Sequence, residues 1–138
     1  MSTMRSLILA SVAAAGLVVV GPAIAHHSTA AFDTSQVIKI EGTVTQFRWI
    51  NPHSSIKIDG GSGHGVWTIE MTAANVLLND GWTRDALQVG DKVTIYANPL
   101  RNAVTLNDGS TGGLYVGVVL ANGSTLGRTD GKGAGTSN

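Results

Sequence analysis

Apolar and polar positions alternate over most of the chain after residue 37, the period of half-buried strands rather than of helices. From Val37 to Trp49, the residues Ile38, Ile40 and Val44 share one face, whereas Phe47 and Trp49 fall on the other. That change of phase predicts a bulge near Gln46, with Gly42 as the point of sharpest curvature. A second strand over Ser54 to Asp59 turns Ile56 and Ile58 inward, and a third over Val66 to Met71 alternates Trp67, Ile69 and Met71. Between them, the glycine-rich stretch from Gly60 to Gly65 reads as a flexible hairpin loop. Thr72 is placed to cap a short helix over residues 73–79 carrying Ala73, Val76 and Leu77 on one face, and Gly81 is placed to end it. Thr83 to Leu87 reads as a further helical turn. Val89-Gly90-Asp91 then turns into a fourth strand in which Val93, Ile95 and Ala97 alternate. Asn98 to Gly113 is read as loop, with a brief alternation at Val104 and Leu106. Leu114 to Leu120 is the fifth strand, closed by the turn pair Asn122-Gly123.

Three strands, a helix and two strands is the order of an all-β domain with one short helix, a five-stranded OB-fold-like Greek-key barrel. Five short strands also suit an open sandwich, and the place of the helix favours the barrel. A long, bent first strand supports closure, because one strand must belong to both sides.

The first 36 residues break this pattern. Met1 to Arg5 carries one basic charge, Leu7 to Val20 is uncharged and apolar, and Ala23-Ile24-Ala25 follows the break at Gly21-Pro22. This is the plan of a cleaved secretory signal over residues 1–25. The apolar run is short for a membrane span, which needs about 20 residues. Residues 26–36 then form an N-terminal arm, 37–126 the barrel, and 127–138 a polar, disordered tail. Removing 25 of the 138 residues leaves 113, enough for one core. The expected location is the periplasm or the cell exterior, with no membrane segment after cleavage. The chain has no cysteine, so the core must supply the stability that disulfides often give exported domains. Nine basic residues balance nine acidic ones, which gives no electrostatic footprint for nucleic acid.

Two stretches carry chemistry. Cleavage after Ala25 exposes His26, whose amine and imidazole can chelate one ion together. Copper suits such an all-nitrogen set better than zinc, and His53, then His27, are the next ligands expected. His64 sits in a loop that costs more entropy to order. In the bland alternative, His26-His27 is a solvated leader and His53 hydrogen-bonds within a corner. The second stretch is Trp49-Ile50-Asn51-Pro52-His53, where Pro52 ends the strand in a rigid bend. Trp67 reads as core; Trp49 and Asn51 are the candidates for a surface that binds a small ligand or a protein partner.

Several ordered motifs, His26-His27-Ser28, Trp49-Ile50-Asn51-Pro52-His53, Trp67-Thr68-Ile69-Glu70, Gly81-Trp82-Thr83-Arg84, Gly90-Asp91-Lys92-Val93 and Pro99-Leu100-Arg101, cover nearly all of the mature domain. In these the chain resembles the DUF6152 family of short exported bacterial proteins. The resemblance implies an exported small β domain and carries over no activity. It also implies a proline soon after Glu70, where this chain has Thr72-Ala73.

No catalytic set emerges. Asp59 and Glu70 end adjacent strands as solvated charges, the glycines at 60–65 precede no phosphate-binding helix, and Ser28 has no oxyanion context. The expectation is a non-enzymatic module that binds copper through its N-terminal histidines or a ligand through the Trp49–His53 surface.

Overall fold

The computed structural model describes residues 29–133 apart from Ala103. The expected signal segment, His26 and His27, and residues 134–138 of the expected tail lie outside the described residues. Six strands form: β1 (Ile38–Arg48), β2 (Ser55–Asp59), β3 (Val66–Glu70), β4 (Lys92–Pro99), β5 (Thr111–Val119) and β6 (Thr125–Gly127). The first five close a barrel. β1 pairs antiparallel with both β2 and β4, β2 with β3, and β4 with β5, while β3 and β5 close the ring in parallel. This is the OB-like order that the strand pattern predicts.

The register of β1 slips between Val44 and Gln46, so a bulge lies where the apolar phase changes. The bulge turns the post-bulge face back inward, and Phe47 and Trp49 pack on the same core as Ile40 and Val44. Ile56, Ile58, Ile69, Val93, Ile95, Ala97 and Val118 complete that core. The β3–β5 closure depends on Gly113, where an added Cβ would lie 3.1 Å from Ile69 Cδ1 and 3.2 Å from Ala97 Cβ. Thr111-Gly112-Gly113 therefore belongs to β5 rather than to a loop; with no large apolar residue to mark it, the pattern started this strand too late.

Four further local expectations change. Gly61–His64 forms one helical turn, α1, in place of a flexible loop; the Asp59 carboxylate accepts a hydrogen bond from Gly61 N at 2.8 Å, and Trp67 Nε1 donates to His64 O at 2.9 Å. The connecting helix is shorter than expected: α2 spans Ala74–Leu77, and a 3-10 turn continues over Leu78–Asp80. Its N-cap is Ala73, not Thr72, and Ala74 and Leu77 are buried while Val76 is exposed. Gly81 ends it in the left-handed region, as expected. Thr83–Ala86 makes a turn closed by Ala86 N donating to Thr83 O at 3.1 Å, and adds no helix.

Beyond β5, β6 pairs antiparallel with Gly117–Val119, and Arg128 N donates to Val116 O. The expected tail thus begins as a strand end. Its continuation reaches the N-terminal arm, where Gly133 is buried against the Ser35 backbone.

Candidate functional site

The Trp49–His53 bend is locked by a serine that sequence reasoning did not single out. Ser54 is fully buried; its hydroxyl donates to Ile50 O at 3.0 Å and accepts from Ile50 N at 3.3 Å. Its backbone joins the chain after β3, with Ser54 N donating to Thr72 O and Met71 N to Ser54 O. The Asn51–Pro52 peptide bond is cis. A buried serine amid a polar stretch gives no periodic signal, which is why it was missed.

This bend and α2 together wall a shallow groove of about 530 Å³. Trp49, Ile50, Ala74 and Leu78 supply its apolar surface, with Ile50 41% and Leu78 58% exposed. Asn51 and Asn75 add amides, joined where Asn75 N donates to Asn51 Oδ1 at 3.4 Å. Arg84, at the tip of the Thr83–Ala86 turn, is the only charged residue lining the groove. Its guanidinium makes no hydrogen bond or ion pair with another described residue. Trp49 and Asn51 thus line one shallow depression. Trp49 is half-buried on Phe47, with ring centroids 5.8 Å apart, and this aromatic stack runs on through Phe47 and Trp82 to Tyr115. Trp82 Nε1 is buried and has no hydrogen-bond partner of good geometry among the described residues, and its ring meets Tyr115 edge-on at 5.4 Å.

His53 lies beside this groove rather than among its lining residues. Its Nδ1 is 3.7 Å from Glu70 Oε1, and both side chains are partly exposed. Glu70 is thereby separated from Asp59. Glu70 pairs with Ser55 and Asp59 with Val66, at opposite ends of the β2–β3 hairpin, about 13 Å apart along the strand. Among the described residues no three His, Cys, Asp or Glu side chains gather closely enough to hold a metal, and His26 and His27 lie outside them. The described arm docks away from the bend. Phe32 is buried and bridges Leu100, and Asp33 N donates to Pro99 O at 2.8 Å. These contacts lie at the end of β4, which the β1–β4 register sets beside the start of β1, whereas the bend follows the end of β1.

The outer face of β2 and β3, where OB barrels bind their ligands, is crossed by the loop before β5. Lys57 Nζ lies 2.6 Å from Asp108 Oδ2, and the Thr68 and Ser110 hydroxyls are 2.7 Å apart. The Lys57 ammonium, with the Ser110 hydroxyl and N–H beside it, holds the Asp108 carboxyl well below the ordinary carboxylate range. A second depression of similar volume lies on the far side of the barrel, lined by Glu41, Asp59 and Lys92 among others. Its charges already have partners: Glu41 with Lys39, Asp59 with Gly61 N, and Lys92 with Thr43 Oγ1.

With the bend, the helix and the Gly81-to-Arg84 segment in place, the comparison with known families gives one match. A family described as a family of unknown function, DUF6152, matches residues 14–113. The chain belongs to that family. The matched span takes in the bend, both walls of the groove and the barrel as far as Gly113, and brings no activity with it. No curated protein and no solved structure matches the chain. No helix among the described residues is long and apolar enough to cross a membrane.

Proposed function

We propose that this DUF6152 domain works in the periplasm or outside the cell as a non-enzymatic binding module, and that its site is the groove between the Trp49–Asn51 bend and α2. One observation carries the reading: an arginine with no hydrogen bond or ion pair to another described residue shares a concavity with the exposed apolar residues Ile50 and Leu78, beside a bend whose backbone is held by Ser54. Ligand sites combine apolar walls with a few polar groups that fix orientation, within about 300–1,000 Å³. In the second depression Glu41 is ion-paired and Asp59 and Lys92 each already hold a local hydrogen bond, so it offers a ligand less. Proton–nitrogen correlation spectra recorded during titration with a fragment mixture test the reading. Shifts are expected at the Trp49 indole and the Asn51 and Asn75 side-chain amides, and to vanish in Leu78→Glu. Shifts confined to other surfaces would refute it.

A second reading, copper capture through His26 and His27, is favoured by the Glu70 carboxylate near His53 Nδ1. A carboxylate close to one imidazole nitrogen favours the ring orientation that turns the other nitrogen towards a metal. Because the arm docks through Phe32 at the end of β4, His53 joins such a site only if the leader returns across the barrel wall. Calorimetric titration of protein beginning at His26 separates the cases. Affinity that falls in His53→Ala, and again when a residue precedes His26, supports the shared site; affinity indifferent to both changes refutes it.

A further inference from the structure

The groove's lining is specific enough to name a ligand class, and this step rests on the groove being the binding site. We propose that it takes the C-terminal end of an extended, apolar peptide, with the terminal carboxylate on Arg84 and the peptide main chain along Asn51 and Asn75. Three features lead there. The first is charge: among the described lining residues Arg84 is the sole charged group, it makes no hydrogen bond or ion pair with another described residue, and none of them is a carboxylate. A planar guanidinium matches a carboxylate with two parallel hydrogen bonds. The second is the pair of asparagines. Asn51 spends its oxygen on Asn75 N and keeps its NH₂ donors, and the Asn75 side chain makes no hydrogen bond with another described residue. An acyl chain lying on these amides would desolvate them without replacing their hydrogen bonds, at a cost that a peptide main chain, with its own donors and acceptors, avoids. The third is the exposed apolar surface of Ile50 and Leu78 around Trp49, which suits a branched aliphatic side chain at the terminal position. An open groove of this size takes a few residues of extended chain and leaves the rest of the partner outside.

The test uses the full chain and a labelled pentapeptide of alternating leucine and serine, with leucine at both ends and a free C-terminus. Its C-terminal amide and dodecanoate are the comparison ligands. Fluorescence anisotropy should show the free acid binding at least tenfold more tightly than the amide. Arg84→Gln should remove that difference by weakening the acid to the level of the amide, with little change in melting temperature, because Arg84 makes no hydrogen bond or ion pair with another described residue. Asn75→Ala should weaken both peptides and should not weaken dodecanoate, whose chain no longer has that amide to desolvate. Equal binding of acid and amide that is lost in Leu78→Glu would overturn carboxylate recognition while leaving the groove as a ligand site. Binding of dodecanoate without the peptides would overturn the peptide assignment in favour of a lipid. If none of the three probes binds, the inference fails, and the fragment titration decides separately whether the groove is a site at all.

Discussion

Replacing Gly42 by alanine tests how the barrel is closed. Gly42 lies in β1 where the strand passes from pairing with β4 to pairing with β2. Its backbone is not in the left-handed region, so alanine fits its dihedral angles. Removing glycine's freedom from the unfolded chain would by itself stabilise the protein by about 0.4–1 kcal/mol. Against this, the new Cβ would lie 2.7 Å from Asp59 O and 3.1 Å from Asp59 C, atoms of a paired strand that cannot rotate away. Overpacking of this kind costs about 1–3 kcal/mol, so the net expectation is a loss of about 1–2 kcal/mol. For a domain near 100 residues that lowers the midpoint of melting by about 5–10 °C. Gly112→Ala is the internal control. Its Cβ would meet Leu100 Cδ1 at 2.8 Å, the far end of a flexible side chain that can turn aside, and its net change should stay within about 1 kcal/mol. Urea denaturation followed by tryptophan fluorescence measures both. If Gly42→Ala matches Gly112→Ala, or matches the parent protein, the close approach of β1 to the end of β2 does not limit the fold.

Three further outcomes follow from the hydrogen bonds and charges. Ser54→Ala should cost about 1–2 kcal/mol, because Ile50 loses the donor and the acceptor that the buried Ser54 hydroxyl supplies; hydrogen exchange at Ile50 should quicken, and unchanged exchange would show that Pro52 holds the bend alone. Asp108 is depressed in the folded state, so its contribution is present above the unfolded carboxylate pKa and fades as pH falls through the folded value; Asp108→Asn should therefore flatten the acid limb of the stability profile and speed exchange in the loop before β5, and an unaltered acid limb would discount the Lys57 contact. Burial pushes the Tyr115 hydroxyl up, and it donates to Leu126 O at 2.9 Å; its share of stability is complete below the unfolded tyrosine pKa and is lost as pH rises beyond it towards the folded value, so Tyr115→Phe should lose about 0.5–1.5 kcal/mol at pH 7 and show a shallower alkaline decline, checked by denaturation at stepped pH.

The capping preference of glycine marked Gly81 as the end of the helical segment, and period-two alternation by itself determined the strands with large apolar residues on one face and the bulge. These are local consequences of which side chains avoid water, and Ile56, Ile58, Ile69, Val93 and Ile95 could satisfy that requirement only as one inner surface. The bend at Asn51-Pro52 was also legible, because proline restricts the backbone locally. What the tertiary structure alone decided rests on contacts between distant segments. Gly113 reads as loop until Ile69 and Ala97 are seen closing on it, and β6 has no signal of its own, since Leu126 is its only large apolar residue. Ser54 matters because its hydroxyl holds both backbone groups of Ile50, and Arg84 because its turn brings it into a groove with no carboxylate among the described lining residues. Local side-chain chemistry dictates which face is buried, but which charge is left unpaired is a property of the assembled barrel.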